Sequence, residues 1–197
     1  MTVEFRALRP SFAAEVGGID LSQPDAGSVR TIWDAIDRYA VLVFRDQRLT
    51  DTQLRDFAAE FGPLEIGRGA LQGGKRRLAL PQIGDISNLD EESRVRARDD
   101  RRRLDSLGNR LWHTDASYMP VPVVLGMLHA VVVPPASVLG GGETEFADMR
   151  AAYDALDERT KAEIEDLVCE HSLKYSREAI GFTDLTPEEI AAFRPVR

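Results

Sequence analysis

Several features that this sequence lacks exclude whole classes of protein. It has a single cysteine, Cys169, so an intrachain disulfide cannot form and a disulfide-stapled secreted scaffold is excluded. No apolar stretch approaches the 18 residues of a membrane-spanning helix, and the N-terminus lacks the charged and apolar regions of a signal peptide. We therefore expect a cytoplasmic protein with no membrane partner.

A basic surface and the common phosphate-binding motifs are also missing. The formal net charge is -8, and the arginines are mixed with carboxylates rather than gathered on one helix face, so nucleic acid is not an expected partner. The glycine run at 140–142 has neither the lysine of a P-loop nor the spacing of a dinucleotide fingerprint. No Gly-x-Ser-x-Gly nucleophile motif occurs either.

What is present suffices for a folded core. The chain has 197 residues and is 43% apolar, with no internal repeat and no interdomain linker, so we expect a single domain over 1–197. Helix signals begin at Ser28, Thr50, Asp148, Asp157 and Thr186, where a capping side chain precedes an apolar stripe or an acidic first turn.

Other segments are typical of strands or loops. Strands are predicted at 41–44, at 123–133 and, less regularly, at 170–175, where β-favouring residues cluster. The glycine-rich and basic segment 66–81 and the charged segment 90–105 are predicted to be loops. The charged segment is either a solvated excursion or a lid that orders over a ligand.

The segment His113-Thr114-Asp115 carries the most specific chemistry. Side chains two apart on a strand project from the same face, and the apolar neighbours Leu111 and Trp112 favour a strand here. An imidazole and a carboxylate could thus supply two corners of a 2-His-1-carboxylate site for Fe(II), although Mn(II), Co(II) and Zn(II) also suit these donors. A hydrogen-bonded structural His–Asp pair is the alternative.

The remaining candidate residues are weaker. His129 and His171 are the other histidines and could be imagined as a third ligand, but apolar neighbours favour a structural role for His129, and His171 is no stronger a candidate. Cys169 is most simply a small buried hydrophobe. Thr144 follows a glycine run, which in most cases is simply a flexible turn. The alternative is that the Thr144 hydroxyl is directed at an anion.

Several motifs in order resemble one known family. They are Glu15 to Leu21, Val41 to Arg45, Phe57 to Pro63, Ile86 to Asn88, Asn109 to Asp115, and Gly141 to Leu156. Together they resemble the taurine and phenoxyacetate dioxygenases, which depend on Fe(II) and 2-oxoglutarate. The stretch 147–156 is similar to the phenoxyalkanoate-degrading branch in particular.

The resemblance implies a fold and a set of site residues. The fold would be α+β, a double-stranded β-helix (jelly roll) with flanking helices. His113 and Asp115 would bind iron, Thr144 would hydrogen-bond the distal carboxylate of 2-oxoglutarate, and Asn109 would face the substrate pocket.

The resemblance also implies an activity. Decarboxylation of 2-oxoglutarate to succinate and CO2 would be coupled, with O2, to hydroxylation of a small anionic substrate, either a carboxylate or a sulfonate. In the phenoxyalkanoate branch, hydroxylation beside the ether oxygen releases a phenol and an oxo acid.

One departure from the family pattern shapes these expectations. Family members carry a second iron-binding histidine and a 2-oxoglutarate-binding arginine further along than Arg197. We therefore expect the N-terminal two-thirds of such an enzyme, with an incomplete jelly roll whose unpaired edges would favour a homo-oligomer. The alternatives are a non-catalytic shortened paralogue, or a metal hydrolase that recruits His129 or His171.

Overall fold

The protein is described by a computed structural model that covers residues 3–67, 75–133, 135 and 143–197. The glycine run at 140–142 and part of the predicted loop 66–81 lie outside these residues. Contacts between Cα atoms group the chain into two compact units. The first unit comprises residues 1–64 and 127–166, and the second comprises residues 65–126 and 167–197. A single domain over 1–197 stays a prediction.

Short helices and a small sheet make up the regular structure of the described residues. In chain order the elements are β1 (Glu4–Ala7), β2 (Ala14–Gly17), α1 (Ala26–Tyr39), β3 (Leu42–Phe44), α2 (Asp51–Ala59), α3 (Arg101–Ser106), α4 (Met149–Asp154), α5 (Glu158–Ile164), α6 (Leu173–Glu178) and α7 (Pro187–Ala192). A 3-10 turn at Leu107–Arg110 continues directly from α3.

The sheet of the first unit has three strands in the order β1, β2, β3. β1 and β2 are antiparallel, whereas β2 and β3 are parallel, with Val16 opposite Phe44. Parallel neighbours need a crossover connection, and α1 supplies it. The predicted strand at 41–44 is confirmed as β3.

The two helices of this unit that bury the most apolar surface begin at well-formed caps. The cap of α1 is Asp25 and not Ser28, because the Asp25 carboxylate accepts the backbone N–H of Ser28 at 2.7 Å and starts the helix earlier. The predicted cap of α2 is confirmed. Thr50 Oγ1 accepts the N–H of Gln53 at 3.2 Å, and Gln53 Oε1 accepts the N–H of Thr50 at 2.9 Å.

These helices bury their apolar faces against the sheet. Leu21, Ile32 and Phe57 form one buried cluster, and Phe44 and Phe61 pack against it. The predicted helices at Asp148 and Asp157 are also confirmed, as α4 and α5. In each, the aspartate side chain accepts a backbone N–H of the first turn, at 3.0 Å and 2.8 Å respectively.

The second unit corrects two predictions. The charged segment 90–105 does not end as a loop, because Asp100 accepts the N–H groups of Arg102 and Arg103 and begins helix α3. The segment 170–175 is not a strand, because the Ser172 hydroxyl accepts the N–H of Tyr175 and begins helix α6. A single bridge between His171 and Val196 is the only β pairing recorded around this segment among the described residues.

The helix predicted from Thr186 is confirmed as α7, with Pro187 in its first turn and a reciprocal pair of hydrogen bonds between Thr186 and Glu189. Glu189 is buried in this unit together with Leu173, Phe182 and Phe193. A short local signal was therefore sufficient to locate this helix.

The predicted strand at 123–133 is wrong for the described residues. This stretch has no ladder partner in them, and Val124, Val131 and Val132 are 80%, 80% and 85% exposed. β-favouring composition reflects packing on a neighbouring strand, so a segment with this composition does not form a strand where the neighbour is absent.

At the coarse level the α+β class is confirmed, as a small sheet with helices. No helix in the described residues is long and apolar enough to cross a membrane.

Candidate metal centre

His113 and Asp115 lie in the second unit, just after the 3-10 turn, on chain that forms no strand. Leu111 is extended, with φ of -91° and ψ of 150°, and Ala116 has a positive φ of 52°, so the chain turns immediately after Asp115. Trp112 is 70% exposed. The prediction of an apolar strand here is therefore wrong, because apolar neighbours alone do not bury a segment.

The two predicted ligands nevertheless come together. Nε2 of His113 is 3.1 Å from Oδ1 of Asp115, and the side chains are 43% and 77% exposed. An extended backbone places positions i and i+2 on the same side even where no sheet forms. The spacing in the sequence thus produces the contact by itself.

The hydrogen bond on the other ring nitrogen decides what this contact requires. Nδ1 of His113 is 2.6 Å from the carbonyl oxygen of Leu111, which can only accept, so Nδ1 carries the proton and donates it. In the neutral ring Nε2 then presents a lone pair to the Asp115 carboxylate, which is also an acceptor. Two acceptors at 3.1 Å need a cation between or beside them, either a second proton on the ring or a metal ion.

The donor geometry fits a divalent metal ion. With bonds of about 2.1 Å, adjacent ligands of an octahedral ion are about 3.0 Å apart. The observed separation of 3.1 Å between Nε2 and Oδ1 matches this arrangement. A backbone carbonyl that holds the distal ring nitrogen is the usual support of a metal-bound histidine. An imidazole and a carboxylate without thiolate suit Fe(II) and the neighbouring divalent ions.

No third donor joins this pair among the described residues, which contain no group of three or more His, Cys, Asp and Glu side chains able to hold a metal ion. Nε2 of His129 lies 3.2 Å from the backbone oxygen of Gln47, in keeping with the structural role expected of it. The backbone of His171 pairs with Val196.

Cys169 is exposed, so the prediction that it is buried is wrong. Its neighbour Val168 is 76% exposed as well.

The other two predicted site residues are both on the surface. Asn109 lies in the 3-10 turn, exposed and four residues before His113. Thr144 is exposed and belongs to the first unit. The roles of Asn109 at the substrate and of Thr144 at 2-oxoglutarate stay predictions.

Two residues around this segment were not identified from the sequence. Gly108 is buried, and a Cβ atom added to it would lie 2.8 Å from Cζ of Arg177 and closer still to Nη1. Arg177 comes from α6, where its Nε donates to Asp105 Oδ1 at 2.8 Å. The glycine beside Asn109 signals a close approach, but nothing local indicates that an arginine in α6 makes it.

Comparison with known proteins identifies the family. The chain matches the taurine catabolism dioxygenase TauD, TfdA family over residues 4–197. It is 41% identical, over 197 residues, to an alpha-ketoglutarate-dependent 2,4-dichlorophenoxyacetate dioxygenase of Cupriavidus pinatubonensis, covering 100% of this chain and 67% of the relative. It is 40% identical to an (S)-phenoxypropionate/alpha-ketoglutarate-dioxygenase of Sphingobium herbicidovorans over 88% of this chain and 55% of that relative.

A solved structure gives the same result. The crystal structure of AAD-2 in complex with Mn(II) and N-oxalylglycine has a TM-score of 0.82 and 46% identity, and the match covers 100% of this chain and 65% of that one. This chain thus spans about two-thirds of the length of these relatives or less. With a family match over residues 4–197 and these identities, the chain belongs to the taurine catabolism dioxygenase TauD, TfdA family.

Proposed function

We propose that the protein is an Fe(II)- and 2-oxoglutarate-dependent dioxygenase that hydroxylates a small carboxylate or sulfonate. The observation that carries the proposal is the paired His113 Nε2 and Asp115 Oδ1, 3.1 Å apart, with the ring held from behind by Leu111. Family membership supports the choice of iron and 2-oxoglutarate over the other divalent ions and co-substrates. The Mn(II) and N-oxalylglycine in AAD-2 support it too, because N-oxalylglycine is an analogue of 2-oxoglutarate.

The fold we propose for the site is a double-stranded β-helix with flanking helices. Support comes from the TM-score of 0.82 to AAD-2 over the whole chain. The described sheet of β1, β2 and β3 would be one part of that architecture.

Each site residue has a distinct part to play. His113 and Asp115 would hold the ion, and the carboxylate would offset part of its charge. The Leu111 carbonyl keeps the imidazole in the tautomer whose Nε2 lone pair is free to bind. Because both side chains are well exposed, 2-oxoglutarate and O2 could reach an ion that these residues would hold. Iron, when bound, would supply the oxidative chemistry with O2.

Two further polar side chains would bind the organic molecules. We propose that the Thr144 hydroxyl donates a hydrogen bond to the distal carboxylate of 2-oxoglutarate and that the Asn109 amide faces the substrate. Both side chains are exposed and therefore available to a ligand.

A phenoxyalkanoate is the substrate class we favour. The relatives named above are dioxygenases of 2,4-dichlorophenoxyacetate and of (S)-phenoxypropionate. Hydroxylation of the carbon that bears the ether oxygen gives a hemiacetal or hemiketal, which collapses to a phenol and an oxo acid. The phenol is therefore a direct readout of this substrate class.

The proposal is tested by adding Fe(II) and 2-oxoglutarate to the purified chain without oxygen. We expect a visible metal-to-ligand charge-transfer band, and succinate once O2 is admitted. His113→Ala should abolish the band and succinate formation. His129→Ala removes a ring that is hydrogen-bonded to the backbone of Gln47, and it should leave both signals unchanged. A folded wild-type chain that gives neither band nor succinate would contradict the proposal.

The alternatives receive no comparable support. A hydrolase would need His129 or His171 near a metal, and His129 is instead bonded to the Gln47 carbonyl. Nothing in the comparisons favours a non-catalytic paralogue. The homo-oligomer and the cytoplasmic location stay predictions.

A further inference from the structure

The segment that carries the candidate ligands depends on its surroundings for its position. The backbone hydrogen bonds that flank the pair are local, from Leu111 N–H to Gly108 at 3.2 Å and from Met119 N–H to Ala116 at 2.9 Å. Local turns of this kind do not hold a segment against the rest of a protein. What packs against the two ends of the segment therefore decides where His113 and Asp115 lie.

Arg177 of α6 packs against the upstream end. Its Nε donates to Asp105 Oδ1 at 2.8 Å, and the two side chains are only 13% and 17% exposed. The guanidinium occupies the space that a Cβ atom of Gly108 would need, which places it directly against the 3-10 turn. Burial lowers the pKa of Arg177, an effect that the nearby Tyr118 opposes. A buried guanidinium charge is costly unless it is paired, and the carboxylate of Asp105 provides that pairing.

The downstream end and the start of α3 are held by α7 and its neighbours. The Tyr118 ring, three residues beyond Asp115, meets Phe193 edge-on, with centroids 5.6 Å apart and an interplanar angle of 87°. At the start of α3, Arg101 donates to Glu189 at 2.6 Å and to the Asp184 carbonyl at 2.7 Å. The chain from α6 to α7 thus contacts the ligand segment on both sides.

We propose that Arg177 is a positioning residue for the metal pair: its guanidinium holds the turn at Leu107–Arg110 and so sets the direction in which the chain enters His113. Leu111, whose carbonyl fixes the imidazole, follows this turn directly and hydrogen-bonds back to Gly108. Without the guanidinium the turn loses its neighbour, and the carbonyl no longer has one fixed direction. This proposal rests on the proposed function in one respect, that the pair binds a divalent ion.

Two readouts test the proposal on the full chain. The first is the affinity for Mn(II), measured from the free-ion electron paramagnetic resonance signal. The second uses no metal: at alkaline pH, where an imidazole carries a single proton, the ring nitrogen chemical shifts of His113 report whether Nδ1 carries it. The chain has only three histidines, so His129, bonded to the Gln47 carbonyl, serves as an internal reference.

We expect Arg177→Met to weaken Mn(II) binding by about tenfold, the scale of lost outer contacts at metal sites. The same change should turn the His113 ring into a mixture of tautomers. Arg177→Lys should retain part of both properties, since it keeps the charge but not the planar fork. The matched control is Arg159→Ala, which removes an 88% exposed arginine from a surface pair with Glu163 and should change neither readout.

A folded Arg177→Met chain with wild-type affinity and a wild-type His113 tautomer would overturn the proposal. If that variant does not fold, Gly108→Ala replaces it, because the added methyl group displaces the guanidinium without removing it. The same two losses are then expected, and their absence would overturn the proposal equally. A wild-type chain that binds no Mn(II), with a tautomer that still responds to Arg177, would contradict the proposed function and support the positioning role.

Discussion

At the scale of single residues, the contact between His113 and Asp115 is the feature with the clearest chemical consequence. Nδ1 must donate to the Leu111 carbonyl, so Nε2 and the carboxylate face each other as two acceptors. The contact is favourable only with a positive charge, whether a proton or a metal ion. The pair of side chains is therefore stable in this arrangement only when it binds a cation.

The first prediction removes the negative charge of this pair. Asp115→Asn should weaken Mn(II) binding by at least the roughly tenfold that outer contacts contribute, since a directly bound carboxylate is replaced by a neutral amide. Isothermal titration with Mn(II) measures the change. Asp154→Asn, an equally conservative change on an exposed part of α4, should leave the affinity as it is. Equal affinities of all three chains would show that Asp115 is not a ligand.

The second prediction concerns the core of the first unit. Phe57 is 4% exposed and meets Phe61 edge-on at 5.2 Å, so Phe57→Ala leaves a cavity and should lower the free energy of unfolding by about 3–5 kcal/mol. Phe146→Ala removes the same ring from a position that is 56% exposed and should cost no more than about 0.5 kcal/mol. Urea unfolding measures both, and similar losses would refute the assignment of Phe57 to the core.

At the scale of elements, the helices begin where the sequence places a cap. Thr50, Asp148, Asp157 and Thr186 each accept a backbone N–H in the first turn of the helix that follows. A cap and its partner are two or three residues apart, so the interaction is readable from the sequence. The start of α1 was predicted at the wrong residue and shows the limit of this signal. Asp25 and Ser28 are both good capping residues, and the helix begins after Asp25, the earlier of the two.

The third prediction follows from the cap of α5. The backbone N–H of Thr160, with its hydroxyl, holds the pKa of Asp157 below its ordinary value of 3.8. A lowered pKa in the folded state means stability that is present above the unfolded pKa and is lost as the pH falls through the folded pKa. The stability advantage of the wild type over Asp157→Asn should therefore shrink on acidification below 3.8.

This third prediction is measured by urea unfolding at a series of pH values. The asparagine keeps a hydrogen-bond acceptor at the cap but cannot titrate, so it isolates the proton linkage from the loss of the cap. Asp154→Asn in α4, an exposed aspartate that is not a cap, is the matched control. A stability difference between wild type and Asp157→Asn that is independent of pH would contradict the linkage.

Strands were less predictable than helices for a physical reason. The run 41–44 is a strand because β2 lies beside it, whereas 123–133 has similar composition and no ladder partner in the described residues. A strand is completed by hydrogen bonds to residues that are distant in sequence, so composition alone cannot decide it. At 170–175 a single capping hydroxyl, Ser172, was enough to favour a helix.

At the scale of the whole molecule, apolar surface on the stretch 121–133 is the property that most affects behaviour in solution. Val131, Val132 and Val133 are 80%, 85% and 73% exposed, and exposed apolar surface of this kind promotes association and binds hydrophobic dyes.

The fourth prediction is that changing Val131, Val132 and Val133 together to threonine lowers both the binding of a hydrophobic dye and self-association. Self-association is measured as the dependence of the sedimentation coefficient on protein concentration. Threonine keeps the branched shape while replacing a methyl group by a hydroxyl. The same substitution at Leu167 and Val168, which are 71% and 76% exposed, tests whether the effect belongs to the first stretch. Unchanged sedimentation in the triple variant would show that this stretch does not drive association.

The sequence by itself determined the features that act over a few residues. These are the capped helices and the spacing that brings His113 to Asp115, and each depends on neighbours no more than four residues apart. The family motifs were also readable from the sequence, because each is a run of consecutive residues. The contact of Arg177 with Asp105 and Gly108 joins residues about 70 apart, and the contact of Tyr118 with Phe193 is equally distant. Only the tertiary structure decided these contacts, because no local pattern specifies which distant side chain fills a space.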